Sequence, residues 1–438
     1  MWGSNARAQP VQTATGVSAN TFSPIIIRFV PAAYWRQPGY TVAYPQKELT
    51  VYLHSSNPAG KTGSLVSAVK RAGILAISAL FFFSCATTAQ TDMNKEGAAN
   101  TAAEAPAAPA ELPAIPAREV EAMRDLDAKT VAAEMGWGVN LGNTLENTSR
   151  WETGWGQPVI TKALVDGLAA RGVKTVRLPV AWDTYAVDGI VQEDKMARVE
   201  EVVNWITGAG MYCVLNIHWD GGWIDSSWKD KFGPDVYATF SPVAAEKFER
   251  YWKQIAGRFN YKNELLVFEG LNEETNFSNE GDMEDAYRTL ARVNQLFIDT
   301  VRDTGGNNAT RVLLITGYHT DIEKTTSFAY VLPEDRLENK LMISVHYYTP
   351  WQFCGMNKDE SWGVAMWDWG HKVDYLQLDG LFDKMQLFCE DTGMPAIIGE
   401  FGVVSEKKTR RKYAGWRPLW RRASSAGWCP SSGTLAST

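Results

Sequence analysis

Tyr212-Cys-Val-Leu-Asn-Ile-His-Trp219, an apolar run, is followed by a helical apolar period over residues 244–259 and then by Leu265-Leu-Val-Phe-Glu-Gly-Leu-Asn272. A short strand, a long amphipathic helix and a second short strand in that order make a β-α-β unit, whose strands run parallel because the helix carries the chain back across the sheet. The unit repeats outward in both directions. Strands are predicted at 136–142, 175–180, 212–219, 265–272, 312–317, 342–348 and 396–401, with helical periods at 162–170, 195–206, 244–259, 282–301 and 382–389. Seven units in series predict an α/β fold of the TIM (β/α)8 type, and a closed barrel needs one strand more.

The bulk composition is consistent with one large domain. The chain has 438 residues, 45% of them hydrophobic, which suffices for a full core. Its net charge of -7 gives no general basic surface for nucleic acid, so a neutral partner is expected. The 18 Trp suit stacking on sugar rings as well as filling a core. The five Cys, at 85, 213, 354, 389 and 429, form no CxxC pair, and the five His make no HExxH helix. There is no GxxxxGK[ST], and Gly136, Gly138 and Gly142 miss the GxGxxG spacing. No metal and no organic cofactor is expected.

Five zones follow along the chain. Residues 1–69 are Pro- and Ser-containing and unpatterned, and are expected to be an artefactual or unstructured extension. Residues 70–85 run from Lys70-Arg71 through an apolar stretch to Ser84-Cys85, the charged, hydrophobic, small-residue order of an export signal. Because Cys85 closes that stretch, the segment resembles a bacterial lipoprotein signal, which implies a lipid anchor at Cys85 and a secreted or cell-surface location. Residues 86–117, rich in Ala and Pro, read as a linker. The barrel is expected over 118–405, and 406–438 form an atypical basic tail. A monomer is the default expectation.

Polar residues gather at the C-terminal ends of the predicted strands: Arg177, Asn216 and His218, Asn272-Glu273, His346 and Tyr348, and Glu400. In a barrel these ends converge on one face, so residues distant in sequence become neighbours there. Two carboxylates ending non-adjacent strands are what glycoside hydrolysis requires, one to protonate the leaving oxygen and one to attack the anomeric carbon. Glu273 and Glu400 fill those places, and the acid's carboxyl is expected to lie high and the nucleophile's low. Arg177 and Tyr348 are expected to donate to Glu400, and Asn272 to hold a sugar hydroxyl. Glu269 shares the facing of Glu273 but lies deeper, and Glu274 points the other way.

Seven stretches carry a specific resemblance: Gly136-Trp-Gly-Val-Asn-Leu-Gly-Asn-Thr-Leu-Glu146, Trp155-Gly-Gln-Pro158, Val176-Arg-Leu-Pro-Val180, Asn216-Ile-His-Trp-Asp220, Phe268-Glu-Gly-Leu-Asn-Glu273, Ser344-Val-His-Tyr-Tyr-Thr-Pro-Trp351 and Ile397-Ile-Gly-Glu-Phe-Gly402. In this order the chain resembles glycoside hydrolase family 5, and most its subfamily 4 of bacterial endoglucanases and xyloglucanases. The resemblance implies a retaining mechanism with Glu273 as general acid/base and Glu400 as nucleophile. It also implies that Arg177, His218, Asn272, His346 and Tyr348 surround the cleaved sugar. Asn143, His218, Trp219 and Trp351 are expected along an open glucan groove, and Trp223 either lines it with them or packs in the core.

After Val404 the pattern departs from the family, which has an eighth strand ending in Trp. Residues 407–438 contain no Asp or Glu and many Lys and Arg, and no strand is legible in them. The eighth strand is therefore expected to be missing or replaced by the tail, leaving the edges of the first and seventh strands open and the chain weakened. The function expected is endo-acting cleavage of β-1,4-glucan: cellulose, mixed-linkage glucan or xyloglucan. Two alternatives stand: a mannanase on the same scaffold, and a truncated, non-catalytic glucan-binding protein.

Overall fold

A computed structural model describes residues 110–224, 242–274, 283–404, 407 and 429–432. The chain divides into two units, Met1–Ala99 and Asn100–Thr438, and all described residues belong to the second. The extension, the export-type segment with Cys85, the linker to residue 109 and most of the basic tail lie outside the described residues.

Eight parallel strands close a barrel: β1 Gly138–Asn140, β2 Thr175–Leu178, β3 Tyr212–Asn216, β4 Leu266–Glu269, β5 Leu313–Thr316, β6 Leu341–Tyr347, β7 Ala396–Phe401 and β8 Cys429–Ser432. The expected α/β barrel is present, and, as one of the two expected outcomes, a segment of the tail replaces the eighth strand. No Trp-ended strand stands there; the four-residue β8 takes its place, pairing Cys429 with Ile397 of β7 and Ser431 with Gly138 of β1. The strand was illegible because Cys-Pro-Ser-Ser has little strand propensity, and Pro430 has no N–H to give the ladder. The open edges of β1 and β7, which already have the right separation and direction, dictate its pairing. Two residues of each edge are paired in this way.

Alternation along the strands sorts the core into two layers. Cys213, Leu215, Leu266, Phe268, Leu313, Ile315, Ile343 and Ile398 face outward and pack under the helices. These helices are α2 Lys162–Ala170, α3 Glu193–Gly208, α4 Pro242–Arg258, α5 Met283–Asp303 and α6 Lys372–Thr392. Val214, Val267, Leu314, Met342 and Ile397 face inward, and helix α1, Ala128–Met135, plugs that end with Val131, Ala132 and Met135. Asp127 caps α1 by accepting from the Thr130 N–H at 2.7 Å. One layer higher the inward positions turn polar, with Arg177, Asn216, Glu269 and Ser344 all buried. The change from apolar to polar at the C-terminal ends is what places the site.

Helix α6 begins ten residues before its predicted start, because Asp374 caps its N-terminus on the N–H of His371 at 2.8 Å. Gly393, at φ 73°, ends it in the left-handed conformation that favours glycine. Residues 110–127, partly assigned to the linker, make specific contacts with the outside of the barrel. The Glu121 N–H donates to Tyr261 O at 2.8 Å, and Lys262 pairs with Glu121 at 2.5 Å.

Candidate active site

Arg177 organises the polar layer. It stands on β2, faces inward and is 1% exposed. Its Nε donates to Glu269 at 2.7 Å, Nη1 to Glu400 at 2.6 Å and to Asn140 Oδ1 at 3.1 Å, and Nη2 to Asn272 Oδ1 at 2.8 Å. Burial opposes this cation, but the Glu269 and Glu400 charges more than offset it. The fork therefore fixes four residues, from three other strands and their ends, at once.

Glu269, fully buried on β4, is the floor of the site and not its acid. It accepts from Arg177, from Asn216 Nδ2 at 3.0 Å and from Ser344 Oγ at 2.6 Å, which spends its acceptors below the surface. Glu274 turns back to accept from the Asn272 N–H at 2.7 Å. These are the depth and facing expected of the two rivals.

Glu400, on β7, receives Arg177 on Oε1 and the Tyr348 hydroxyl on Oε2 at 2.9 Å. Burial works against its anion, yet the His346, Arg177 and His218 charges and the Tyr348 bond outweigh it and bring the carboxyl down to about 2. Burial and the neighbouring carboxylates raise Tyr348 well above its ordinary range, so its hydroxyl remains a donor. Glu273, just past β4, meets His346 Nδ1 at 2.6 Å. Burial pushes this carboxyl up, but the His346 hydrogen bond and charge prevail and hold it below the ordinary value. The expectation of a raised acid is thus not met in this state of the site.

His218 enters the same field: burial, and then the Arg177 charge, push its imidazole down to about 4. His346 crosses above Gly399, where a Cβ would lie 2.9 Å from His346 Nε2 and 3.0 Å from Ser344 Oγ. Only glycine leaves room for that ring.

Arg177, His218, Asn272, Glu273, His346, Tyr348 and Glu400 thus form one connected group. Trp351 is one ring contact away, edge-on to Tyr348 with centroids 6.1 Å apart, and is 49% exposed. Trp219 is 51% exposed beside His218, so both indoles offer a free face. Asn143, at φ 61°, lies on the loop after β1, where its N–H and that of Thr144 are held by Glu146. Of the two readings open for Trp223 the packing one holds: it is 3% exposed, packs on Tyr251 and donates to Asp220 at 3.3 Å, so it belongs to the core.

Sequence reasoning passed over the groups that shape the loops. Asp220 is buried and accepts from the N–H groups of Trp182, Asp183 and Thr184. Glu146 does the same for the β1 loop. Both carboxylates end quoted motifs, Asn216 to Asp220 and Gly136 to Glu146, which was the available signal. His319 had no motif to mark it.

Glu273, His346 and Glu400 each present a donor atom, all within 4.8 Å of one another, a spacing a divalent cation could use. His346 Nδ1 is already bonded to Glu273, and both Glu400 oxygens are held by Arg177 and Tyr348. A cation would have to displace those bonds, so the donor set fits a proton-transfer site better.

The model of the family described as cellulase, glycosyl hydrolase family 5, matches residues 136–431. Endoglucanase A of Paenibacillus barcinonensis is 35% identical over 69% of this chain and 80% of its own length. A xyloglucan-specific endo-β-1,4-glucanase of Bacteroides ovatus is 34% identical over 64% of this chain and 57% of its own length. Among solved structures, a broad-specificity endoglucanase of family 5, subfamily 4, from an uncultured bovine rumen ciliate is 34% identical with a TM-score of 0.62. It matches over 70% of this chain and 88% of that one.

Proposed function

This chain belongs to the cellulases of glycosyl hydrolase family 5, alongside its subfamily 4, and from that premise we propose that it cleaves β-1,4-glucan internally with retention at the anomeric carbon. Glu400 is the nucleophile and Glu273 the general acid/base. The observation that carries the assignment is the spacing: carboxylate oxygens of Glu273 and Glu400 lie within 4.8 Å of each other. Retaining enzymes hold the pair about 5–5.5 Å apart, whereas inverting ones need about 6.5–9.5 Å to admit a water.

The two carboxyls are held for different work. Arg177 and Tyr348 keep Glu400 ionised and aim one oxygen lobe at the anomeric carbon. As Glu400 attacks, Glu273 delivers its proton to the departing glycosidic oxygen, leaving a glycosyl ester on Glu400. The ester has no charge, so the Glu400 repulsion, the one neighbouring charge that favours the protonated form of Glu273, disappears. Glu273 is then a carboxylate suited to take a proton from the water that opens the ester. Asn272, whose Oδ1 is occupied by Arg177, offers its amide N–H to a sugar hydroxyl beside the reacting carbon. Trp219 and Trp351 offer faces on which glucose rings stack.

Mixed-linkage glucan and xyloglucan are included as substrates, on the strength of the similarity to a xyloglucan-specific relative and a broad-specificity neighbour. Against the non-catalytic alternative stand Glu273 and Glu400, both present and held by His346 and Arg177. Residues 70–85 support export and a lipid anchor at Cys85, with the monomeric catalytic domain at the surface of a bacterial cell. Reducing-sugar release from carboxymethylcellulose, barley β-glucan, xyloglucan and mannan tests the reading. Release from the glucans should be abolished by Glu273→Gln and by Glu400→Gln; release from mannan alone, or release that survives both substitutions, contradicts it.

A further inference from the structure

The bond between Glu273 and His346 joins the loop after β4 to the end of β6, and β5 lies between those two strands. The chain leaving β5, Gly317-Tyr-His-Thr320, therefore emerges beside the acid/base pair. Its backbone is unusual: His319 has φ 52° and ψ 24°, and Thr320 has φ 48°. Two successive non-glycine residues in the left-handed region, one of them β-branched, persist only where surroundings over-determine them. The surroundings do so here. Thr320 is 1% exposed and its N–H donates to Gly317 O at 3.0 Å. Tyr318 is buried with its ring 5.4 Å from that of Tyr287, and Thr325 occupies the space a Gly317 side chain would need.

Between these buried neighbours His319 alone is exposed, and no hydrogen bond involves its ring among the described residues. The carboxylate whose charge acts on it most strongly is Glu273. Strand β6 separates its loop from β7 and Glu400. Glu400 stands under the sugar that becomes esterified, whereas Glu273 stands at the oxygen between the two sugars being parted. A polar side chain beyond Glu273 and away from Glu400 faces the departing sugar. We propose that His319 is a specificity-determining residue that hydrogen-bonds a hydroxyl of the sugar on the leaving-group side of the scissile bond. The inference rests on the retaining-glycosidase reading.

The test compares cellotetraose, which places glucose on the leaving-group side, with 4-nitrophenyl β-cellobioside, which releases a phenol there. The parent, His319→Ala, His319→Gln and Glu400→Gln are assayed together, with melting temperatures taken for each. In His319→Ala, kcat/KM for cellotetraose should fall about five- to tenfold more than for the aryl substrate, mostly through KM, as expected for one lost hydrogen bond to a neutral group. His319→Gln, which keeps a donor, should recover much of the difference. Equal losses on both substrates, or no loss on either, would overturn the proposal while leaving the glycosidase reading intact. A folded parent silent on both substrates, or activity that survives Glu400→Gln, would instead overturn that reading and this inference with it.

Discussion

The guanidinium of Arg177 donates to Glu400 at 2.6 Å from a position that is itself almost wholly buried. The contact is short and shielded, and its far side is anchored by Glu269. The arrangement makes the nucleophile's charge and aim depend on a planar fork and not merely on a nearby cation. Arg177→Lys keeps the charge but cannot reach Glu269, Asn272 and Glu400 together. It should lower kcat by about 10²-fold or more with little change in KM, measured on β-glucan. A kcat within threefold of the parent would contradict this role.

His346 controls the acid. Its hydrogen bond and charge lower Glu273, so replacing it by Leu leaves burial and the Glu400 charge, both of which raise that carboxyl, against only the weaker pull of His319. A higher value keeps the acid protonated to higher pH. The alkaline limb of the kcat/KM profile should therefore move upward in His346→Leu, even as the maximal rate drops. A limb that stays in place or moves downward would count against the pairing.

Glu146 links stability to pH in the opposite sense from Glu400. Burial raises its carboxyl to about 7, against an ordinary value of 4.5, despite the N–H groups it accepts. The folded chain holds this proton longer than the unfolded chain, so its contribution is fully present below pH 4.5 and is lost as pH rises through 7. The loss should amount to up to about 3 kcal/mol. Glu400, lowered to about 2, contributes stability above pH 4.5 that disappears as pH falls toward 2. Between pH 4.5 and 7, the parent should lose stability relative to Glu146→Gln, as followed by urea unfolding at each pH. Parallel curves would refute the linkage.

Arg311 knots the opposite end of the barrel. Its buried guanidinium donates to the carbonyls of Asn263 and Leu266 at 2.6 Å and of Lys262 at 2.5 Å, and to Asn308 Oδ1 at 2.8 Å. Burial pushes it down to about 9. Arg311→Met would strand several carbonyls away from water, and should cost about 3–5 kcal/mol by urea denaturation while the remaining folded fraction keeps its kcat. A cost below about 1 kcal/mol would mean the carbonyls find other partners.

The barrel was legible because seven of its strands are apolar runs whose polar residues fall at their C-terminal ends. The same pattern exposed Arg177, Glu273, His346 and Glu400, since one strand end contributes each. Strand β8 was not legible, because its pairing is imposed by the waiting edges of β1 and β7 and not by its own residues. Trp223 could not be placed because an indole reads alike in a groove or a core, and its bond to Asp220 is a tertiary fact. His319 stayed hidden for a similar reason: its significance comes from the left-handed turn that sets it beside Glu273, and no local spacing encodes that turn.

The central claim is that Glu400 forms a covalent glycosyl ester, and the most direct measurement is mass spectrometry after incubation with an activated 2-deoxy-2-fluoro-β-cellobioside. The account predicts inactivation with one added 2-fluorocellobiosyl mass, carried on the peptide containing Glu400 and absent from Glu400→Gln. An active protein that hydrolyses this reagent without any adduct, or carries the label on Glu273, would contradict it.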